Sequence, residues 1–185
     1  MHSLTGRNAF HSSWYSRPSD HDDHAKTSFV IRFAQAYVVQ QMSDDDRYFP
    51  ISLQWTGRKT GLLSVEGKDV IRTGVPLDDQ DEASGYTPED LFVASAAICY
   101  MNGFIEFTRK MHIEFKSFDC DAVGNLERVG RSFEITQIEM TARVTIESDE
   151  VRGKIERALE LAAKYCFVGN SMKCPITHRV EISVT

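Results

Sequence analysis

Basic residues are scarce in this chain of 185 residues: 21 Lys and Arg stand against 27 Asp and Glu, a formal net charge of −6. Proteins that bind nucleic acid neutralise phosphates with a basic stripe or patch, and we find none in the sequence. We therefore expect no nucleic-acid partner. The hydrophobic content of 42% is sufficient for one buried core, so the length fits one domain with or without a tail.

Cysteine is also sparse. Four cysteines are too few and too widely spaced for a disulfide-stapled secreted domain: Cys99, Cys120, Cys166 and Cys174. The longest early apolar stretch, residues 29–39, is interrupted by Arg32 and Gln35 and lacks the cleavage site of an export signal. The apolar run at residues 91–101 is too short to cross a bilayer. We expect a cytoplasmic protein without a membrane partner, where a thiol pair is more often redox-active than structural.

Residues 1–28 are rich in Ser, His and Asp and show no hydrophobic period, which predicts a mobile tail. The run Asp-His-Asp-Asp-His at residues 20–24 contains metal-ligating side chains, but short solvated runs of this kind are usually not sites, and we predict no metal. The segment that begins at Met42 is typical of a natural amino terminus. We predict an N-terminal extension over residues 1–48 and a folded domain over residues 49–185.

The folded domain opens with alternating apolar and polar residues. The two-residue period predicts short strands near residues 51–56, 63–65 and 70–72. Glycine-containing turns separate these strands, so they are expected to form a small antiparallel meander.

The second half of the domain also contains predicted strands and a predicted helix. Alternation over residues 113–124 and 133–146, with a slip of register in each, predicts a long bulged hairpin. Apolar residues recur at helical spacing from about residue 149 to Cys166, and residues 180–184 alternate again. The order of elements predicts an α+β fold with a mostly antiparallel sheet.

A helix with a strong N-terminal signal is predicted between the two halves. Thr87 is a suitable N-cap, Pro88 occupies the first helical position, and Glu89 and Asp90 face the positive end of the helix dipole. The helix is predicted to run to about Lys110. Because it is apolar on every side through Met101, we expect a core helix rather than a surface helix.

Two cysteines are the candidates for chemistry. Cys99 lies in the apolar part of the first helix, and Cys166 ends the second helical pattern. A buried cysteine is usually inert, because apolar surroundings raise the pKa of its thiol. Such a thiol becomes reactive only if the chain supplies positive charge and access for a substrate, and the candidates for this role are Arg58 and Glu89.

The segments around these cysteines resemble one known family. Tyr86-Thr-Pro-Glu-Asp-Leu-Phe-Val-Ala-Ser-Ala-Ala-Ile-Cys99, followed by Ala163-Lys-Tyr-Cys-Phe-Val-Gly-Asn-Ser171, is similar to the OsmC/Ohr family of thiol-dependent hydroperoxide reductases. The ten-residue step from Glu89 to Cys99 and the second cysteine before a Ser/Asn turn both match. Thr56-Gly-Arg58 aligns with the arginine of the family's active site. Phe167 departs from the pattern, since many relatives have proline there.

The resemblance implies an OsmC-like fold, with antiparallel sheets wrapped around two core helices in an intertwined homodimer. It implies that Cys99 attacks an organic hydroperoxide and that Cys166 resolves the sulfenic acid as a disulfide. Arg58 is then the cation that stabilises the thiolate, and Glu89 orients Arg58. No cofactor is implied. The reductant is an external dithiol, which in some relatives is of the lipoyl type and carried by a lipoylated protein.

The spacing of Glu89 and Cys99 has a geometrical consequence. Ten residues on one helix span about 15 Å at about 1.5 Å per residue, so these side chains cannot share one compact site within a subunit. If one Arg58 bonds Glu89 and also touches a thiol, that thiol belongs to the partner chain. We therefore expect composite sites at a two-fold dimer interface.

The sequence leaves other interpretations open. The chain is alternatively an OsmC-like ligand-binding or redox-sensing dimer with little peroxidase turnover, or a structural protein with buried, reduced cysteines. Cys120 and Cys174 have no counterpart in the catalytic pattern. A zinc site formed by Cys120, Cys174, His112 and His178 is disfavoured, because no Cys-x-x-Cys pair supports it.

Overall fold

The computed structural model describes residues 47–75 and 85–185. Most of the predicted N-terminal extension therefore lies outside the described residues. Every described helix and strand belongs to one compact unit, Ile51–Thr185.

The first three strands form a sheet of their own. β1 (Ser52–Gly57), β2 (Thr60–Ser64) and β3 (Ile71–Gly74) pair antiparallel in chain order, which confirms the predicted meander. A two-residue turn at residues 58–59 connects β1 to β2.

The second sheet contains β4 (Ser117–Val129), β5 (Ser132–Ile146) and β6 (Ile176–Val184) in that order. β4 and β5 form the predicted antiparallel hairpin, with a bulge between Asn125 and Leu126. β5 and β6 run parallel, unlike the other pairs. A parallel pair requires a long crossover connection, and the helical segment between these two strands provides it.

The helix α1 (Pro88–Lys110) begins as predicted. Thr87 Oγ1 accepts a hydrogen bond from the Asp90 amide at 3.1 Å, and the Asp90 carboxylate accepts one from the Thr87 amide at 2.9 Å. These bonds satisfy two amides that the helix leaves unpaired, and they lower the pKa of Asp90. At the other end, Arg109 and Lys110 complement the helix dipole.

The crossover between β5 and β6 consists of one 3₁₀ turn and two helices. The turn Asp149–Val151 leads into α2 (Arg152–Lys164), and the single-turn helix α3 (Phe167–Asn170) follows. The buried face of α2 has the predicted helical spacing and consists of Ile155, Ala158, Leu159 and Ala162. Cys166 lies beyond α2, between the two helices.

The core lies between α1, α2 and the second sheet. Tyr100 and Phe104 of α1 are its largest fully buried side chains, at 1% and 0% exposure. The Phe104 ring stacks on Phe118 at 5.0 Å between centroids and packs against Phe115 at 4.9 Å. Aromatic contacts of this kind add to the free energy gained by burying the rings.

The prediction that α1 is buried on every side is wrong for the single chain. One face packs against α2 and the second sheet, whereas Phe92, Ile98 and Ile105 are 38%, 54% and 44% exposed. By length and composition alone α1 could cross a membrane, but its contacts are those of a core helix. The exposed apolar residues leave part of this helix without a packing partner among the described residues.

Candidate active site

Cys166 lies at the N-terminus of α3, where it acts as the cap of the helix. Its Sγ accepts a hydrogen bond from the Gly169 amide at 3.2 Å. The same Sγ lies 3.9 Å from the carbonyl oxygen of Ala96 in α1. Only 6% of the Cys166 surface is exposed. A thiol between the two helices of the crossover is therefore held against the middle of the core helix.

Cys99 and Cys166 are brought together. Ala96 and Cys99 are three residues apart on α1 and so share one face of the helix. The pKa of the Cys166 thiol rises to about 11, first because it is buried and second because it hydrogen-bonds with the Cys99 thiol. The bond from the Gly169 amide opposes this rise, since it favours the thiolate. Both cysteines are free thiols, and Cys99 is 8% exposed.

Gly169 makes room for the Cys166 sulfur. A Cβ atom at this position would lie 3.2 Å from Cys166 Sγ and 3.1 Å from Ile176 Cδ1. Both distances are shorter than ordinary van der Waals contacts, so a larger residue would displace the sulfur or the isoleucine. The glycine next to the predicted Ser/Asn turn therefore has a packing role beside the thiol.

Arg58 lies elsewhere in the chain, at the tip of the β1–β2 hairpin. Its backbone has a positive φ of 47°, and its carbonyl oxygen accepts a hydrogen bond from Trp55 Nε1 at 2.9 Å. The indole thus holds the main chain of the turn in place. Among the described residues, the groups that shift the pKa of Cys166 do not include Arg58.

Glu89 lies in the first turn of α1 and is exposed. It lines an apolar cleft of about 1160 Å³ whose walls include Tyr86, Val93, Ile98 and Leu126. Neither Cys99 nor Cys166 lines that cleft. Because both residues belong to α1, the expected separation of about 15 Å between Glu89 and Cys99 applies.

Sequence reasoning assigned no role to residues that prove to be near the thiol pair. Cys174 and His178 line a cavity of about 340 Å³ together with Cys166. Burial lowers the pKa of His178, so its imidazole is neutral at pH 7. The hydroxyl of Tyr100 is buried without a hydrogen-bond partner among the described residues. These residues are far apart in the sequence and meet only in the folded chain. No local pattern links them, so only their residue types could have indicated the cluster.

This geometry defines a class of protein: an α+β domain with one free thiol on its core helix and a second, interacting free thiol between the two helices of a crossover. The model of the OsmC-like protein family matches residues 79–181, more than half of the chain. The protein therefore belongs to the OsmC-like family, as its motifs indicated. The matched residues include Glu89, Cys99 and Cys166, whereas Arg58 lies before them.

Solved structures of the same family share the fold. An OsmC-like protein of unknown function from Vibrio cholerae aligns at 18% identity and a TM-score of 0.66, over 73% of this chain and 99% of that chain. An organic hydroperoxide resistance protein from Legionella pneumophila aligns at 16% identity and a TM-score of 0.58, over 75% and 100%. The organic hydroperoxide resistance protein OhrB of Bacillus subtilis aligns at 17% identity and a TM-score of 0.54, over 73% and 98%.

At these identities the likeness establishes the OsmC-like α+β fold. The chain has no significant match among curated protein sequences. The family supports a peroxidase-like role in broad terms, since it includes proteins of hydroperoxide resistance.

Proposed function

We propose that this protein is a thiol-dependent peroxidase that reduces organic hydroperoxides to alcohols through Cys99 and Cys166. The observation that carries the proposal is the contact between these two free thiols, which lie sixty-seven residues apart in the sequence. A peroxide-oxidised cysteine needs a second thiol within bonding reach to form a disulfide. Membership of a family that includes hydroperoxide resistance proteins supports the same activity.

In the first step, the Cys99 thiolate attacks the terminal oxygen of the hydroperoxide. A sulfur–oxygen bond forms, the oxygen–oxygen bond breaks, and the alkoxide leaves as an alcohol after it takes a proton. Cys99 is assigned this step because it occupies the position of the attacking cysteine in the family motif. A cation beside the sulfur would keep it ionised, and the proposal assigns this role to Arg58, with Glu89 as the residue that orients it.

In the second step, Cys166 attacks the sulfur of the Cys99 sulfenic acid. The disulfide forms and the hydroxyl leaves as water, with the proton that Cys166 gives up. The Gly169 amide supports this step, because its hydrogen bond stabilises negative charge on Cys166 Sγ. An external dithiol then reduces the disulfide by thiol exchange and restores both thiols.

The role proposed for Arg58 depends on a second proposal. The protein is a homodimer, and each of its active sites contains residues of both subunits. The β1 strand exposes Leu53 and Trp55 at 67% and 74%, and α1 exposes Ile98. Exposed apolar surface on a sheet and on a core helix favours burial against another chain. We infer that the partner is a second copy, and that Arg58 and Glu89 of one subunit complete the site at Cys99 of the other.

We infer a preference for organic over mineral peroxides from the apolar side chains beside Cys166. Ala96, Met140 and Ile176 are apolar neighbours of Cys166 in its cavity. Burial of a substrate's aliphatic part stabilises the complex by about 0.8 kcal/mol per methylene group. Hydrogen peroxide has no such part and lacks this contribution.

Intact mass spectrometry tests the cycle directly. After one equivalent of cumene hydroperoxide, the wild-type chain is expected to lose two hydrogen atoms as the disulfide forms. The Cys166→Ser variant is expected to gain one oxygen atom at Cys99 instead. A wild-type mass that does not change would contradict the proposal. Stoichiometric oxidation with negligible turnover in the presence of a dithiol would instead favour the redox-sensing alternative.

A further inference from the structure

A third cysteine, Cys174, lines the same cavity as Cys166. Cys174 belongs to the segment between α3 and β6, is 9% exposed, and is a free thiol. The volume of the shared cavity is about 340 Å³. The proposed cycle uses Cys99 and Cys166 only, so it leaves Cys174 unexplained.

The chain around Cys174 is anchored close to Cys166. Ile176, two residues after Cys174, and Cys166 both lie against Gly169. Pro175 is tied to the second sheet by a hydrogen bond from the Ile138 amide at 3.1 Å. At the other end of the segment, the Met172 amide donates to the Gly169 carbonyl at 3.1 Å. These contacts keep the segment that carries Cys174 next to the helix that Cys166 caps.

Cys174 also lies at a second surface. It lines an open cleft of about 380 Å³ together with Phe92, Phe133 and Lys173. Cys99 and Cys166 do not line this cleft. Cys174 therefore lines both the cavity that contains Cys166 and the open cleft.

We propose that Cys174 is a relay thiol: it replaces Cys99 as the disulfide partner of Cys166. The disulfide then lies at the open cleft, where an external dithiol reduces it. The proposal rests on the proposed function, because that cycle supplies the Cys99–Cys166 disulfide. The Cys174 thiolate attacks Cys166 Sγ, a Cys166–Cys174 bond forms, the Cys99–Cys166 bond breaks, and Cys99 leaves as a thiolate. One disulfide bond forms for each one that breaks, so the exchange needs no further oxidant.

The groups around the cavity favour this direction. His178 lines the cavity, and the unprotonated nitrogen of its imidazole is the base for the Cys174 proton in the proposed exchange. In a thiol exchange the sulfur with the more stable thiolate leaves faster. The proposed cycle gives that property to Cys99, which is the thiol beside the cation.

Disulfide mapping over time tests the relay. Trypsin separates the three cysteines, because it cuts after Arg72, Arg109, Lys164, Lys173 and Arg179 and leaves Cys99 in residues 73–109, Cys166 in 165–173 and Cys174 in 174–179. The protein is oxidised with one equivalent of cumene hydroperoxide, quenched in acid and alkylated in denaturant. We expect the linkage of 73–109 to 165–173 first, and its replacement by that of 165–173 to 174–179.

The outcomes separate the relay from the cycle on which it rests. If the first linkage forms and persists while Cys174 is always alkylated, the relay is wrong and the two-cysteine cycle stands. If neither linkage forms, the proposed function fails and the relay fails with it.

Peroxide consumption without a reductant gives a second readout. Once the relay releases Cys99, the wild-type chain can react with a second equivalent, so its rapid phase is expected to consume two equivalents per chain. Cys174→Ser should stop at one equivalent, and Cys174→Ala provides the same test if the serine variant does not fold. Cys120→Ser is the matched control and should behave as wild type. Equal consumption by the wild type and the Cys174 variants would overturn the proposal.

Discussion

Gly103 of α1 lies directly against Ala162 of α2. A Cβ atom at Gly103 would be 3.3 Å from both Cα and Cβ of Ala162. This close approach sets the distance between the helix that carries Cys99 and the helix that leads to Cys166.

A larger residue at Gly103 should force the two helices apart. We expect Gly103→Leu to lower the free energy of unfolding by about 1–3 kcal/mol, because the crossing has no space for the side chain. Gly153→Leu is the matched control, since a Cβ atom at Gly153 meets no neighbour within 4 Å. Urea unfolding of both variants measures the difference. Equal stability of the two would show that the crossing tolerates the added volume.

A methyl group at Gly169 should disturb the proposed resolving thiol. In Gly169→Ala the new Cβ crowds Cys166 Sγ, so we expect disulfide formation after peroxide addition to slow by about tenfold, an effect of about 1.4 kcal/mol. The first oxidation of Cys99 should keep its rate. Rapid-quench mass spectrometry follows both steps, with Gly153→Ala as the control. A disulfide rate equal to that of wild type would mean that the sulfur has room to move.

The raised pKa of Cys166 predicts a loss of stability at high pH. The folded protein holds the Cys166 proton up to a pKa of about 11, whereas an unperturbed thiol in the unfolded chain loses it near 9.0. Between these values the unfolded state binds fewer protons, so the free energy of unfolding falls by up to about 1.4 kcal/mol per pH unit.

Cys166→Ser removes this titration and is the control for that pH effect. Urea unfolding of reduced protein from pH 8.5 to pH 11 should show a steeper loss of stability in wild type than in the variant. Parallel curves would contradict the burial of a protonated thiol at this position.

A charge on the exposed face of α1 should prevent the proposed dimer. Ile98 is 54% exposed in the single chain, so Ile98→Glu should not disrupt the fold of a subunit. In a dimer that buries this face, the carboxylate would lose its hydration without a partner, and we expect monomers. Sedimentation velocity measures the change, with Lys154→Glu on the exposed side of α2 as the control. A dimeric Ile98→Glu variant would place the interface elsewhere.

Mixed inactive variants test whether the proposed site crosses the dimer interface. We expect Glu89→Gln and Cys99→Ser homodimers each to be inactive. If Glu89 serves the Cys99 of the partner, each heterodimer contains one intact site, and random re-association should restore about a quarter of the wild-type activity. If both residues act within one subunit, no heterodimer has an intact site and the activity should stay absent.

The parts of the fold that depend on local sequence were predictable. The capping box of α1 forms within four residues, Thr87 to Asp90, and the helix ends at Lys110 as its pattern indicates. The meander and the β4–β5 hairpin follow from alternation and glycine turns over short separations. Local hydrogen bonds and side-chain period decide such elements, so distant residues have little influence on them.

Other features could not be deduced from local patterns. The alternation of β6 has the same period in a parallel as in an antiparallel pair, so it did not reveal the parallel pairing with β5. The apolar sequence of α1 did not show which of its faces remains exposed. Cys174 had no assigned role, because its nearness to Cys166 depends on how the segment after α3 returns to the second sheet.

The sequence by itself determined the α+β order of elements, the start of α1 and, through its motifs, the family to which the protein belongs. Only the tertiary structure decided that the buried thiols of Cys99 and Cys166 interact, that Gly169 leaves space for the Cys166 sulfur, and that Cys174 lines the same cavity as Cys166. The reason is physical. Hydrogen-bond patterns and periodicity act over a few residues, whereas the meeting of two sulfur atoms depends on the packing of whole helices across the core.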